Sequence, residues 1–352
     1  MTAMTVPLRR SVLADCVRTA TAAPSVHNSQ PWFFRVGGSA VDVYADPARR
    51  LRVLDPIGRE QVISVGAALF TLRLAIRQAG YRSDVRLFPD PDEPDLVARV
   101  TPTHPAATTP VVETLAAAVA YRHTNRFPFN QVCVPAEVLD HLRDAARWEG
   151  AVLAVANDVG REAVLGLARS ADRWLRGQQG YRAELARWTG PGIRHDGVPR
   201  WAVGPWDALR TVPIRDFGEL SGLPRRSEKF EPYPTIVVLA TVGDRPPDWV
   251  RAGQALQRVL LAATWKGLAA TPISQPVEVP AVRRRLLEPG TGLSVQMVLR
   301  IGYGKTAGAT PRRRLAEVLS PKPRSAKPSW MICRPLVPAR PSRAVTGRFS
   351  AR

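Results

Sequence analysis

Ala23-Pro24-Ser25-Val26-His27-Asn28-Ser29-Gln30-Pro31-Trp32 is the stretch on which the reading of the fold turns. Two prolines, two amides, two hydroxyls and an indole fall within ten residues, directly before Phe33-Phe34. Proline fixes φ and removes a backbone donor, so Pro24 and Pro31 hold the segment in one shape. Ser25, Asn28 and Gln30 then supply donors and acceptors at short range. Such a loop suits a flat heteroaromatic ligand, although S-x-x-N taken alone is equally a helix-capping turn beside a buried indole.

Outward from this loop, residues 8–22 read as a helix that stops before Pro24, and 32–36 with 41–44 as a hairpin over Gly37-Gly38. Val62, Val65, Leu69, Leu72 and Ile76, with Gly80 behind them, predict an amphipathic helix over 59–79 with its apolar face inward. Prolines at 89, 91, 94, 102, 105 and 110 mark a connection between two halves, with room for a short strand at 96–100. Further helices are expected at 111–121, 135–147 and 159–187, the last with glycine interruptions. Strands are expected at 151–156, 235–241 and 295–301. Asp248 reads as the N-cap of a helix closed by Gly267. Residues 189–234, rich in Gly, Pro and Trp, are long enough to form a functional cover.

With 352 residues, 45% of them hydrophobic, the chain can bury a large core in two halves of one unit. The formal net charge is +20, but only five of the 50 basic residues are lysine, which points to arginine-rich coding rather than to a binding surface. Eight of those charges, from Lys322 to Arg352, fall in 320–352 with no acidic residue between them. That Pro-, Arg- and Ser-rich tail reads as a disordered extension, so specific nucleic-acid binding is not expected. Three scattered cysteines and five scattered histidines exclude a disulfide framework and a metal site. No apolar run approaches a membrane span, and a soluble cytoplasmic protein is the expectation. Gly304-Lys305-Thr306 fails as a phosphate loop because Leu299 stands where the first glycine belongs. Gly302-x-Gly304-x-x-Ala307 fails as a dinucleotide fingerprint because Pro311 interrupts the helix that should follow. No G-x-S-x-G elbow supports a hydrolase.

A second chemical cluster lies at Tyr121-Arg122-His123-Thr124-Asn125-Arg126-Phe127-Pro128-Phe129, where three basic-type side chains crowd one helix end and ask for an anion. A third is the run Pro311-Arg312-Arg313-Arg314. Together with Pro24, Ser25, Asn28, Ser29, Gln30, Pro31 and Trp32, matching P-S-x-x-N-[ST]-Q-P-W, these make the chain resemble the FMN-dependent nitroreductase family. Arg122, Thr124, Arg126 and Phe127 match its R-x-[ST]-x-[RK]-aromatic element, and Arg312 with Arg314 its late basic pair. Residues 267–275 resemble its helix-to-loop segment near flavin N5. In the family the basic element ordinarily precedes the P-S-x-x-N loop, and two subunits share each flavin. Here the order is reversed within one chain, so the sequence resembles a fused dimer of the Acg-type, dormancy-associated actinobacterial branch.

The resemblance implies an α+β nitroreductase-like fold of two degenerate halves, 1–110 and 111–319, forming a pseudo-dimer before the 320–352 tail. It implies one FMN site per chain. Arg122, Arg126, Arg312 and Arg314, with Thr124, would take the phosphate; Pro24, Ser25, Asn28 and Gln30 would meet the ring; Lys229 would stand at its pyrimidine edge, and Pro272, Ser274 and Gln275 near N5. NAD(P)H would reduce the flavin, and a nitroaromatic- or quinone-like acceptor would reoxidise it in a ping-pong cycle that needs no catalytic acid or base. His27 is a candidate to touch substrate. The alternative is a low-turnover FMN-binding or storage protein, its flavin covered by a lid from the segment holding Trp201 and Trp206. The chain would act as a monomer with an internal pseudo-dimer, or as a homodimer of it.

Overall fold

The computed structural model describes residues 8–189, 194–217, 225–288 and 290–319. The expected tail at 320–352 lies outside the described residues, as does part of the expected cover at 189–234. Helix α1 (Arg10–Ala20) leads into the proline-bounded loop and the hairpin β1 (Trp32–Gly37) and β2 (Ala40–Ala45). A long helix α2 (Arg59–Gln78) precedes β3 (Tyr81–Leu87) and β4 (Leu96–Pro105). These strands form an antiparallel sheet in the order β1-β2-β4-β3.

The second half begins with α3 (Pro110–Ala118), α4 (Ala136–Arg147), β5 (Val152–Val155), α5 (Asp158–Arg176) and α6 (Tyr181–Arg187). A short parallel pair follows, β6 (Trp206–Asp207) and β7 (Ser227–Glu228), then β8 (Thr235–Val242) and the long α7 (Pro246–Trp265). The half closes with β9 (Ala269–Pro272), α8 (Gln275–Glu278), α9 (Pro280–Arg283), β10 (Leu293–Gly302) and α10 (Leu315–Val318). Its sheet is antiparallel in the order β5-β8-β10-β9. Both sheets therefore run first, second, fourth, third, and each sends its long helix between the second and third strands. The α5–β7 insertion between the first two strands has no counterpart in the first half. The fold is α+β, two degenerate halves of one plan.

The seam between the halves is the crossing of α2 and α7, the most extensive helix contact in the molecule. A Cβ built on Gly253 would stand 2.0 Å from the carbonyl oxygen of Ile63 and 2.8 Å from the Cα of Gly66. One built on Gly66 would stand 2.4 Å from the carbonyl of Val250. Only two glycines let these backbones touch. Thr71 accepts a hydrogen bond from Gln257 Nε2 at 3.0 Å a turn further along. Buried residues of both halves then join one core that includes Leu69 and Leu72 with Leu256 and Leu260.

This crossing corrects the expectation of a one-sided helix at 59–79. Every residue from Arg59 to Leu72 is buried, because the sheet covers one side of α2 and α7 the other. Its polar residues are consumed inside: Arg59 reaches across the seam to donate to the Gln296 carbonyl at 2.9 Å and the Val277 carbonyl at 3.0 Å. β4 is also longer than the strand expected at 96–100. Its pairing with β2 ends at Val41 opposite Val100, while its pairing with β3 continues through Pro102 opposite Ser83. Proline is tolerated there because β4 has lost one neighbour and needs no donor on that side. Asp248 is not the N-cap of α7: Pro246 and Pro247 occupy the first turn after Arg245, and Asp248 accepts from the Arg245 backbone N–H at 3.0 Å. Gly302 and Gly304, singled out above as a failed fingerprint, instead pack on Phe129, whose ring would lie 2.9 and 2.8 Å from Cβ atoms placed on them.

Replacing Gly253 by Ala should destabilise the fold by at least about 2 kcal/mol, since backbone at both sides of the crossing cannot yield. Gly166→Ala in α5, where nothing lies within 4 Å, should be neutral or gain up to about 1 kcal/mol. Chemical denaturation of both variants checks this, and equal effects would contradict the glycine crossing.

Candidate functional site

At the site end of the seam a cavity of about 750 Å3, its mouth included, opens between the two halves. The first half contributes Pro24 to His27 from the loop and Glu60, Ile63 and Ser64 from the first turns of α2. The second contributes Thr124, Arg126, Pro272 and Ser274, and the insertion adds Ile214, Arg215 and Phe217.

The loop is fixed from several directions. Gln30 N–H donates to Ser25 Oγ at 2.9 Å, and Val26 N–H to Ser64 Oγ at 3.3 Å. Asn28 Nδ2 donates to the carbonyls of Gly197 at 2.9 Å and Pro311 at 3.0 Å, while its Oδ1 accepts from Arg312 at 3.0 Å. Gln30 donates to the His195 carbonyl at 2.8 Å and accepts from the Arg313 backbone N–H at 2.8 Å. His27, Asn28 and Gln30 all adopt positive φ, at 49°, 52° and 47°. Left-handed backbone at three non-glycine residues costs energy that the surrounding bonds must offset. The strain turns the His27 ring inward, edge-on to Phe217 with centroids 5.1 Å apart.

Between α3 and α4, the 121–129 segment is pinned to β9 and β10. Asn125 N–H donates to the Ala270 carbonyl at 3.0 Å and Thr271 Oγ1 to the Asn125 carbonyl. Beneath it, Arg300 is fully buried, paired with Glu231 at 2.5 Å, and donates to the Phe127 carbonyl at 3.2 Å. This buried pair places Arg126 at the cavity. Sequence reading treated β10 as an apolar strand and missed Arg300, whose long side chain runs under Phe129, its guanidinium 3.7 Å from the ring centre.

Three guanidinium groups in and behind the cavity wall have no carboxylate partner among the described residues: Arg122, Arg126 and Arg312. Arg122 donates only to the Ala22 carbonyl at 3.1 Å, Arg126 to the Ala202 carbonyl at 2.9 Å, and Arg312 to neutral acceptors that include Asn28. The Nε atoms of Arg122 and Arg312 are buried without any partner. Burial and the neighbouring Arg312 push Arg122 down to about 9, and burial brings Arg312 to about 10. Arg126 falls to about 10 through burial, Arg215 and Arg225. Buried cations repelling one another are expensive unless an anion joins them.

Of the residues singled out in the sequence, Pro24, Ser25, Thr124, Arg126, Pro272 and Ser274 line the cavity. Asn28, Gln30, Arg122 and Arg312 lie outside the lining, in the hydrogen-bond web that ties the loop to the second half. Gln275 is buried and donates to the Pro213 carbonyl at 3.0 Å, so it braces the insertion. Lys229 and Arg314 are exposed, and no side-chain contact brings either to the cavity. The run at 312–314 contributes Arg312 and Arg313 instead; Arg313 donates to the carbonyls of Gln30 at 3.2 Å and Trp32 at 3.1 Å. A basic triplet in sequence does not reveal which member turns inward.

Glu60, Arg215 and Glu278 were invisible to motif reading. Arg215 binds Glu278, donates to Tyr181 Oη at 3.0 Å and to Ser274 Oγ at 3.3 Å. Glu60 Oε1 accepts from Arg59 at 2.9 Å, while its Oε2 is buried without a partner in a residue that lines the cavity. Burial, then the like charge of Glu278, hold the Glu60 carboxyl well above the ordinary range, against the pull of the Arg59 guanidinium. His27 goes the other way: burial, Arg215 and Arg126 hold it well below its ordinary value, and both ring nitrogens lack partners. The cavity thus presents a neutral imidazole and a carboxyl biased toward its protonated form beside guanidinium groups without a carboxylate among the described residues. Among the described residues, no group of three or more His, Cys, Asp or Glu could hold a metal ion, and no helix is long and apolar enough to cross a membrane.

The model of the family described as the nitroreductase family matches residues 119–303. A Mycobacterium tuberculosis protein whose name provisionally assigns it as an NAD(P)H nitroreductase is 32% identical over 323 residues, covering 87% of this chain and 91% of its own. The M. tuberculosis protein acg, named in the same provisional way, is 29% identical over 313 residues, covering 87% and 95%. Among solved structures, a nitroreductase with bound FMN from Bacteroides fragilis is 17% identical, covers 59% of this chain and 95% of its own, and superposes with a TM-score of 0.34. An FMN- and NADPH-dependent nitroreductase, NfnB, from Sphigopyxis sp. is 19% identical, covers 59% and 99%, and gives 0.40.

Two measurements follow from this electrostatic arrangement. Inorganic phosphate added to ligand-free protein should raise its melting temperature by about 2 °C or more, and Arg122→Met should erase most of that rise. A rise preserved in the variant would refute the anion patch. Because the folded state holds the Glu60 proton more tightly than the unfolded chain, stability falls as pH climbs from the ordinary glutamate range through the raised folded value. Glu60→Gln removes that loss, so its melting temperature relative to the parent should be higher at pH 8 than at pH 5; a pH-independent difference would mean Glu60 is ionised.

Proposed function

The chain belongs to the nitroreductase family, and on that premise we propose that the seam cavity holds FMN, reduced by NAD(P)H and reoxidised by a nitroaromatic- or quinone-like acceptor. The observation that carries this reading is that the buried Arg122 and the half-buried Arg126 and Arg312 have no carboxylate partner among the described residues. The phosphate dianion of FMN is the chemical complement of that patch, since charge-assisted bonds from planar guanidinium groups hold phosphate oxygens well. Arg122, Arg126 and Arg312 would hold the phosphate with the Thr124 hydroxyl, while Pro24, Ser25, Pro272 and Ser274 would border the ring. The 32% identical M. tuberculosis relative named for NAD(P)H agrees with this choice of reductant.

When bound, FMN supplies hydride transfer through N5, and the protein supplies position and electrostatics. Ile63, Leu256, Leu260 and Met297 give the cavity apolar walls that exclude water from the reacting groups. Neutral His27 adds no further positive charge near Arg126 and offers a ring nitrogen to a bound substrate. Glu60, whose carboxyl is biased toward the protonated form, would be placed on the cavity wall to give a proton to an acceptor that gains negative charge as it takes a hydride. A single chain furnishes both halves of the cavity, so a second copy is not needed to complete it. NAD(P)H as reductant, and Cys16 and Cys133, both free among the described residues, suit a cytoplasmic setting.

Purified protein should be yellow, and anaerobic NADPH should bleach it within seconds, with colour returning when a quinone is added. Arg312→Met should weaken FMN binding by about tenfold or more. A colourless protein that takes up no FMN in excess would refute the cofactor reading. A yellow protein that neither nicotinamide bleaches would instead support storage.

A further inference from the structure

Beside the seam cavity runs a second, larger hollow of about 1140 Å3, formed by α5 and the inserted 205–213 stretch. Ile214 lines both, so the two spaces share a wall. Five arginines line this groove against two aspartates. The aspartates are largely committed: Asp207 accepts from the backbone N–H groups of Leu209 at 3.0 Å and Val212 at 2.8 Å, and Asp172 Oδ2 accepts from Arg176 at 2.7 Å. Arg225 is tied to Asp216 at 2.5 Å and stacks over the Trp206 indole at 5.6 Å, which holds that ring in the groove wall. Arg169 donates to the Thr211 carbonyl at 3.2 Å. Among the described residues Arg173, which donates to Ser170 Oγ at 3.2 Å, and Arg210 have no carboxylate partner, and Arg210 sits at φ 53°, a left-handed turn that an arginine adopts only under constraint. Asp172 Oδ1 is buried in the same groove without any hydrogen-bond donor.

Free guanidinium groups, a fixed indole and one unsatisfied carboxylate oxygen form the complement of a phosphorylated adenosine: phosphate, flat base, and a hydroxyl or amino donor. We infer that this groove binds the adenosine 2′-phosphate end of NADPH, with the nicotinamide passing the Ile214 edge into the seam cavity. The assignment rests on the seam cavity being the flavin site. It gives the α5–β7 insertion, which the first half lacks, a task, and it selects NADPH over NADH because only the former carries a 2′-phosphate on its adenosine ribose for Arg173 and Arg210.

The probe is adenosine 2′,5′-bisphosphate, titrated calorimetrically into the full FMN-loaded chain. Binding is expected in the micromolar range, weakening with salt and by at least about tenfold in the Arg173→Gln/Arg210→Gln double variant. Both side chains are exposed, so the fold should tolerate the change. In anaerobic stopped flow the same variant should need at least about tenfold more NADPH for half-maximal bleaching, and the preference for NADPH over NADH should collapse. Unchanged affinity for the bisphosphate, or an unchanged nicotinamide preference, would overturn the assignment. A yellow protein reduced by NADPH equally well with and without the two arginines removes the groove and keeps the flavin. Arginine-dependent bisphosphate binding by a protein that takes up no FMN removes the flavin and keeps a nucleotide groove.

Discussion

The molecule depends on the contact of two helical backbones at Gly66 and Gly253. Without side chains between them, α2 and α7 approach until carbonyl oxygens of one lie against the Cα atoms of the other. That closeness sets the distance between two sheets of the same strand order, and hence the width of the cavity between them. Packing interiors do not deform continuously, so a change at the crossing would move both walls together. Arg59, reaching from the first turn of α2 to the carbonyls of Gln296 and Val277, fixes the rotation of one half against the other near the cavity mouth.

The two halves have divided their labour around this frame. The first gives a strained loop and a buried helix start; the second gives the cationic segments and an insertion that walls the cavity. Since one plan is used twice, a second cavity related by the pseudo-symmetry would need its own loop and its own arginines. The sequence carries only one set of each. The insertion after β5 breaks the equivalence further, and it introduces Arg215, which connects the cavity wall to Tyr181 and Glu278 behind it.

Much of the architecture was legible because local signals are strong. The hairpin at Gly37-Gly38, the long helices and the β-branched strand at β8 all announce themselves by period and turn chemistry. What escaped was set by tertiary context. α2 reads as one-sided because Arg59, Glu60, Gln61 and Ser64 are polar, yet all are buried: Arg59 reaches across to the other half, while Gln61 and Ser64 bond within their own. β4 extends through prolines because one of its neighbours ends early. In the site, motif spacing identified the loop and the segment at 122–126, whose members share a short stretch of chain. It could not tell Arg313 from Arg314, nor find Glu60, Arg215 or Arg300, because their partners lie far away in sequence. Lys229 was placed by its position before a strand, and nothing local dictates which way an exposed lysine there should turn.

Asn28 and Gln30 are satisfied by residues 311–313, separations of more than 280 positions. During synthesis the amide-rich loop leaves the ribosome long before its fasteners exist, so it has to wait in a conformation other than its final one. Left-handed backbone at His27, Asn28 and Gln30 is then acquired late, as β10 and the arginines beyond it dock. The loop and its arginines can therefore be fastened together only after residues 311–313 have been synthesised, and a nascent chain that stops short of them lacks half of the hydrogen-bond web.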